Sequence, residues 1–173
     1  MRYDFDKIVN RRGTNCYKYD EMPNDDTIAL WVADMDFETA PCVLDALKKR
    51  MEHGCFGYTK VPSSFYQATI DWFSRRHGWQ GIKKEWFIYT SGVVPAVSAI
   101  IKAMTQPGDK VLLHTPAYNC FFSSIRNNGC KPSPFGGDGE GGVLLLCNPH
   151  NPTGHVWSEE ELTDIAERCR EKG

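Results

Sequence analysis

No apolar run in this sequence approaches the roughly 20 residues of a membrane-spanning helix, and the amino terminus lacks the apolar core of a secretory signal. A strong charge of either sign is absent too. The net charge is −2 at pH 7 with both signs interspersed, which leaves no basic patch to attract nucleic acid or an anionic membrane surface. We therefore expect a cytoplasmic protein without nucleic-acid or membrane partners.

Signatures of metal sites and disulfide frameworks are missing as well. The seven cysteines are an odd number without a CxxC pair, and the five histidines lack metal-ligand spacing. Asp34 and Asp36 alternate along an extended segment, so we expect their side chains to point to opposite faces and not to share a metal ion or a proton. The sequence thus predicts no metal site.

What is present is the pattern of one α/β domain. A hydrophobic fraction of 41% in 173 residues supports a real core. Residues 1–29 are polar and aperiodic and are interpreted as an N-terminal arm. Strand candidates alternate with helix candidates, which predicts a mainly parallel sheet flanked by helices over residues 30–173. The strand candidates are residues 28–32, 85–90, 110–114, 131–135 and 143–147.

Two of the predicted helices carry recognisable N-terminal signals. Ser63 or Ser64 can cap the helix that follows them, and Ser158 with Glu161 forms a capping box at the start of the last helix.

A glycine-rich linker, residues 136–142, separates the last two strand candidates. It is too short for the crossover helix that parallel strands normally need. Either these strands pair antiparallel, or an element has been lost or replaced here, and we favour a shortened or engineered connection. The alternative is a natural glycine-rich surface loop.

Two turns that follow strand candidates offer polar groups. Ser91 and Gly92 precede a helix whose free N–H groups could hold a phosphate, although glycine at such a turn also serves conformation alone. Residues 148–154, Asn-Pro-His-Asn-Pro-Thr-Gly, present an amide at a strand end, with a plain turn as the alternative. Tyr118 could stack on a planar cofactor and Tyr58 could donate to a phosphate, but packing alone is the commoner explanation for either tyrosine.

Five segments together, residues 31–37, 56–58, 91–93, 114–118 and 145–157, closely resemble the MalY/PatB-type cystathionine β-lyases. These are fold-type I enzymes of the aminotransferase class I/II superfamily, and they use pyridoxal 5′-phosphate (PLP). The order and spacing of the segments extend the resemblance over nearly the whole chain. The resemblance implies a PLP cofactor and a sulfur amino acid as substrate.

By that resemblance, Ser91, Gly92 and Val93 would form the phosphate cup. Tyr118 would stack on the pyridine ring of the cofactor, and Asn151 would hydrogen-bond its phenolic oxygen. The resemblance also places Ala33 and Asp34 beside the substrate carboxylate. Because Tyr58 would reach the cofactor phosphate of a neighbouring subunit, a homodimer with shared sites is implied.

Members of this family continue beyond the final helix. There they carry an aspartate that binds the pyridine nitrogen, a lysine that binds the cofactor covalently, an arginine that holds the substrate carboxylate, and a small C-terminal domain. This sequence ends at Gly173, before all of these. We therefore expect a partial PLP-binding domain, without a catalytic lysine, that does not turn over substrate by itself.

Three other functions remain open from the residues alone. The chain could derive from an aminotransferase of the same superfamily. It could be a non-catalytic or engineered scaffold with at most weak phosphate or PLP binding. It could also be a mononucleotide-binding α/β domain, although neither GxGxxG nor GxxxxGK[ST] occurs in the sequence.

Overall fold

In the computed structural model, which describes residues 3–136 and 141–172, the chain divides into two units, Met1–Lys60 and Val61–Gly173. The N-terminal unit contains helices α1 (Tyr17–Asp20) and α2 (Pro41–Glu52). The C-terminal unit contains α3 (Ser63–His77), a 3₁₀ turn (Lys84–Trp86), α4 (Val93–Met104), β1 (Lys110–Leu113), α5 (Asn119–Asn127), β2 (Lys131–Pro134), β3 (Val143–Leu145) and α6 (Glu159–Lys172).

A parallel sheet of order β2-β1-β3 lies in the C-terminal unit, as the alternating pattern predicts. Leu113 at the end of β1 is level with Pro134 of β2 and with Leu145 of β3. The two prolines of β2, Pro132 and Pro134, suit an edge strand because proline has no N–H to donate to a further neighbour. The α/β prediction is confirmed.

The antiparallel alternative for the last two strands is wrong. Strands β2 and β3 lie on opposite sides of β1 and both run parallel to it. These strands span only three or four residues, so the chain has to return by only about 10 Å, at roughly 3.3 Å per residue, before β3 begins. A connection without a crossover helix can cover that distance. Most of the predicted linker, residues 137–140, lies outside the described residues.

The core of the C-terminal unit forms where α4 and α5 pack on the sheet. Ile101, Val111, Leu113 and Ile125 are almost completely buried there, together with Cys130. Each large apolar side chain removed from water in this way contributes about 1.5–3 kcal/mol. Strand β1 is the central strand and is buried over Val111–Leu113, whereas β3 is paired on one edge only and is half-buried.

Two predicted strands, residues 28–32 and 85–90, do not form. Ile28, Leu30 and Ile88 are all largely exposed, and within the described residues no strand pairs with either segment. β-branched and aromatic composition favours a strand only where a neighbouring strand accepts its hydrogen bonds. Without that neighbour, the second segment starts with the 3₁₀ turn and then continues as irregular chain.

The capping box of α6 is confirmed. The backbone N–H of Ser158 donates to the Glu161 carboxylate at 2.7 Å, and the Glu161 N–H donates to the Ser158 hydroxyl at 3.2 Å. The predicted cap of α3 is wrong, since Pro62 occupies the N-cap position and Ser63 is already the first helical residue.

The polar N-terminal segment is folded rather than loose. Arg12 donates to the backbone carbonyl of Asp25 at 2.9 Å, and the Asp20 carboxylate accepts the N–H groups of Gly13 and Cys16 at 2.8 and 2.9 Å.

All seven cysteines are described, and all are free. Within residues 3–136 and 141–172, no helix has both the length and the apolar character needed to cross a membrane. The division into an arm, residues 1–29, and a domain, residues 30–173, stays a prediction.

Candidate functional site

The carboxyl edge of the sheet gathers two of the predicted site residues. Tyr118 follows the end of β1 and Asn151 follows the end of β3. Because β1 and β3 are parallel neighbours with Leu113 opposite Leu145, both chains leave the sheet at the same edge. Ligands of open α/β sheets bind at this edge.

Helix α4 brings unpaired amide groups towards the same edge. Residues 105–109 join the C-terminal end of α4 to the amino end of β1, which directs the N-terminus of α4 towards the carboxyl edge. Among the described residues, the N–H groups of Ser91, Gly92, Val93 and Val94 donate no hydrogen bond. They lie at the positive end of the helix dipole, where an anion is favoured. We call residues 91–94 the amide cup.

Gly92 has no structural reason to be glycine. Its φ of 163° is extended, and an added Cβ would meet only the Pro95 side chain at an ordinary 3.7 Å. Neither strain nor packing within the chain therefore excludes alanine. The missing side chain does leave the amide cup open to a ligand.

Residues 148–157 form a closed turn after β3. The His150 N–H donates to the His155 carbonyl at 2.7 Å, and the Gly154 N–H donates to the His150 carbonyl at 2.7 Å. At the C-terminal end of the turn, the indole N–H of Trp157 donates to the Cys147 carbonyl at 2.9 Å. Asn151 is exposed at the tip, and its amide makes no hydrogen bond within the described part of the chain.

Two aromatic rings line this edge. Tyr118 is half-buried, and its ring meets the Phe121 ring edge-on at 5.7 Å, so part of the phenol stays accessible. The His114 ring lies 4.4 Å from that of Trp157, and its Nδ1 is buried without a partner among the described residues. Burial, followed by nearby His150, lowers the pKa of His114, which favours the neutral ring.

In the N-terminal unit, the expectation that Asp34 and Asp36 point to opposite faces is wrong. Arg11 binds the carboxylates of both residues, that of Asp36 at 2.7 Å. Positions two apart on an extended segment lie on the same side, which is why one guanidinium reaches both. Among the described residues, no cluster of metal-ligating side chains forms around them.

Lys18 completes this ion-pair network, and its position was not foreseen. Its buried ammonium donates to the Asp36 carboxylate at 2.8 Å and to the Asp34 carbonyl at 3.0 Å. The two cations, Arg11 and Lys18, thus balance the carboxylates of Asp34 and Asp36. The carboxylate and the carbonyl of Asp34 both accept hydrogen bonds. Its backbone N–H, next to Ala33, donates none among the described residues.

The ion pairs make a pH-dependent contribution that can be measured. The hydrogen bond from Lys18, followed by that from Arg11, lowers the pKa of Asp36 to about 2, against about 3.9 in an unfolded chain. A lowered carboxyl pKa stabilises the folded state above the unfolded pKa, and this contribution is lost between about pH 4 and pH 2. We expect D36N to lack this acid-dependent step.

The indole N–H of Trp31 is a suitable reporter, because it donates to the Lys18 carbonyl at 3.0 Å. Its NMR signal should shift between pH 4 and pH 2 in the wild type and not in D36N. D45N, which alters an exposed carboxylate 3.9 Å from Lys48, serves as the control and should keep the step. An unchanged acid profile in D36N would contradict the assignment.

Tyr58 is fully exposed in the N-terminal unit. Its phenol makes no hydrogen bond within residues 3–136 and 141–172. The group is therefore available to a ligand or a partner chain.

The sequence profile of the aminotransferase class I and II family matches residues 25–141 and 135–173. The chain belongs to this family, as the resemblance predicts. It is 35% identical over 193 residues to the cystathionine β-lyase PatB of Bacillus subtilis, covering 98% of this chain and 50% of the relative. It is 35% identical over 195 residues to the protein MalY of Escherichia coli, covering 99% and 50%.

Solved structures agree with the fold. Cystalysin of Treponema denticola, which contains a PLP cofactor, matches with a TM-score of 0.84 at 31% identity, over 99% of this chain and 50% of that one. The PLP-bound C–S lyase of Staphylococcus hominis matches with a TM-score of 0.86 at 30% identity, over 98% and 49%. The chain thus spans about half the length of the relatives that it matches.

The relatives also differ inside the matched region. The match to PatB extends over 193 residues although this chain has only 173, so at least 20 residues of PatB have no counterpart here. The family profile divides into two segments that meet at residues 135–141. Both observations support a connection that is shorter than the family's at the glycine-rich linker.

Proposed function

We propose that this chain carries the phosphate- and ring-binding part of a PLP site, in a carbon–sulfur β-lyase that acts on sulfur amino acids. The observation that carries the proposal is the placement of Tyr118 and Asn151 after two paired parallel strands. Membership of the family and the C–S lyases among its relatives support the same reaction class.

The described groups fit PLP. The amide cup offers unpaired N–H donors to the dianionic phosphate, and Ser91 adds a hydroxyl. The accessible phenol ring of Tyr118 suits stacking on a pyridine ring, and the free amide of Asn151 suits a phenolic oxygen. When bound, PLP supplies an electron sink for reactions at the α-carbon of an amino acid.

The N-terminal unit would serve the substrate and the dimer. We propose that Ala33 and Asp34 lie beside the substrate carboxylate, with backbone N–H groups as donors, because Arg11 occupies the carboxylate of Asp34. We further propose that Tyr58 donates its phenol to the cofactor phosphate of a second copy in a homodimer. Its complete exposure leaves it free to do so.

These residues alone are not expected to complete turnover. Covalent PLP catalysis requires an amine that loses its proton readily. Lys18 is buried, but the hydrogen bond to Asp36 raises its pKa and holds it as a cation. It is therefore a poor nucleophile.

The test is a binding titration with pyridoxine 5′-phosphate, which keeps the ring and phosphate but has no aldehyde to react with lysines. We expect the wild-type chain to bind it saturably and to bind pyridoxine, which lacks the phosphate, more weakly. G92A should keep the wild-type unfolding temperature and lose affinity for the phosphate ester by about tenfold, equivalent to one charge-assisted hydrogen bond of about 1.5 kcal/mol.

G142A is the matched control, because Gly142 is also open and lies outside the amide cup. It should bind as the wild type does. Equal affinity of wild type and G92A, or no preference for the phosphate ester, would contradict the proposal.

A further inference from the structure

His150 is a buried polar residue beside the exposed Asn151. Only 6% of its surface is accessible. Its N–H and its carbonyl both take part in the backbone hydrogen bonds that close the turn, with His155 and Gly154 respectively. The residue therefore anchors the segment from which the Asn151 amide projects.

The ring of His150 is tied to the same turn. Its Nδ1 lies 3.0 Å from the Thr153 hydroxyl, and that hydroxyl accepts the N–H of His155 at 3.3 Å. A hydroxyl that accepts one hydrogen bond can still donate its own proton, so the Thr153 hydroxyl can link the His150 ring to the His155 backbone. The His150 side chain thus contacts Thr153 of the same turn.

Aromatic packing fixes the plane of the ring. The Trp157 ring meets it edge-on at 6.1 Å, and the His114 ring does so at 6.5 Å. Asn151 has no comparable anchor, because its side chain is exposed and unbonded within the described residues. The backbone that His150 holds therefore sets the position and the Cα–Cβ direction from which the Asn151 amide projects.

We propose that His150, acting with the Thr153 hydroxyl, is a positioning residue that orients Asn151 towards the phenolic oxygen of the cofactor. The inference rests on the proposed function and assigns a role to two residues of the same site. It predicts that cofactor affinity depends on a side chain that does not touch the cofactor.

The experiment measures affinity for pyridoxine 5′-phosphate together with the absorbance change that reports ionisation of its phenol. Asn151 binds that oxygen, so the spectral change monitors its orientation. We expect H150A to lose about tenfold in affinity and most of the spectral change. H150N, whose amide oxygen can replace Nδ1 as acceptor, should recover most of both.

T153V removes the hydroxyl and should resemble H150A. The double variant should lose little more than either single one, because both changes break the same contact. V156A is the control, since Val156 lies in the same turn and 66% of its surface is exposed. Its affinity and spectrum should match those of the wild type.

A second measurement needs no cofactor. Hydrogen exchange at the Gly154 amide, which donates to the His150 carbonyl at 2.7 Å, should accelerate about tenfold in H150A and not in V156A. Equal exchange in H150A and wild type, or equal affinity with an unchanged spectrum, would overturn the role of His150. Failure of the wild type to bind, with faster exchange in H150A, would instead reject the proposed function and leave His150 as the anchor of the turn.

Discussion

Replacing Ile101 with alanine is expected to lower the free energy of unfolding of the C-terminal unit by about 2–5 kcal/mol. Ile101 is completely buried between α4 and the sheet, in contact with the cluster that contains Leu113 and Ile125. Truncation removes apolar contacts and leaves a cavity that the surrounding strands and helices fill only in part. Urea unfolding followed by circular dichroism measures the loss.

Ile100 provides the matched control. It precedes Ile101 in the same helix, but 53% of its surface is exposed. I100A makes the same chemical change with the same effect on helix propensity, and we expect it to alter stability by about 0.5 kcal/mol or less. Similar losses in I100A and I101A would show that α4 does not pack on the sheet through Ile101.

Replacing Gly141 with alanine is expected to cost about 1–3 kcal/mol. A Cβ at this position would lie 2.8 Å from the Lys110 carbonyl oxygen and 3.0 Å from Cγ of Leu112. The first of these atoms belongs to the backbone of the central strand, which cannot move aside without disturbing its pairing on both edges. The shortened connection therefore requires glycine where it passes β1.

G142A tests this explanation directly. An added Cβ at Gly142 meets no atom within 4 Å, so the substitution should be neutral or slightly stabilising, by about 0.4–1 kcal/mol. Thermal unfolding of G141A and G142A, measured side by side, distinguishes a steric clash from loss of loop flexibility as the cause of destabilisation. Equal destabilisation by both would favour flexibility as the reason for the glycines.

Local features of the sequence were enough to predict much of the C-terminal unit. The capping box at Ser158 and the strand candidate at residues 110–114 each depend on neighbours along the chain. The edge that holds Tyr118 and Asn151 follows once the sheet is taken as parallel. For this reason Tyr118 and Asn151 were expected to lie at the same edge of the sheet.

Features that depend on distant parts of the chain were not predictable in the same way. Residues 85–90 have strand composition but no partner strand among the described residues. Arg11 reaches Asp36 across 25 positions, which no local pattern indicates. The His114 ring that packs on the buried His150 lies on a different segment of the chain, after β1.

Amide NMR mapping of pyridoxine 5′-phosphate on the isotope-labelled 173-residue chain tests the cofactor site most directly. We expect saturable shifts at the amide cup, residues 91–94, and at Tyr118 and Asn151, with no shift on α2. Shifts scattered over surface lysines, or saturable shifts that leave the amide cup and Asn151 unchanged, would contradict a cofactor site at the carboxyl edge of the sheet.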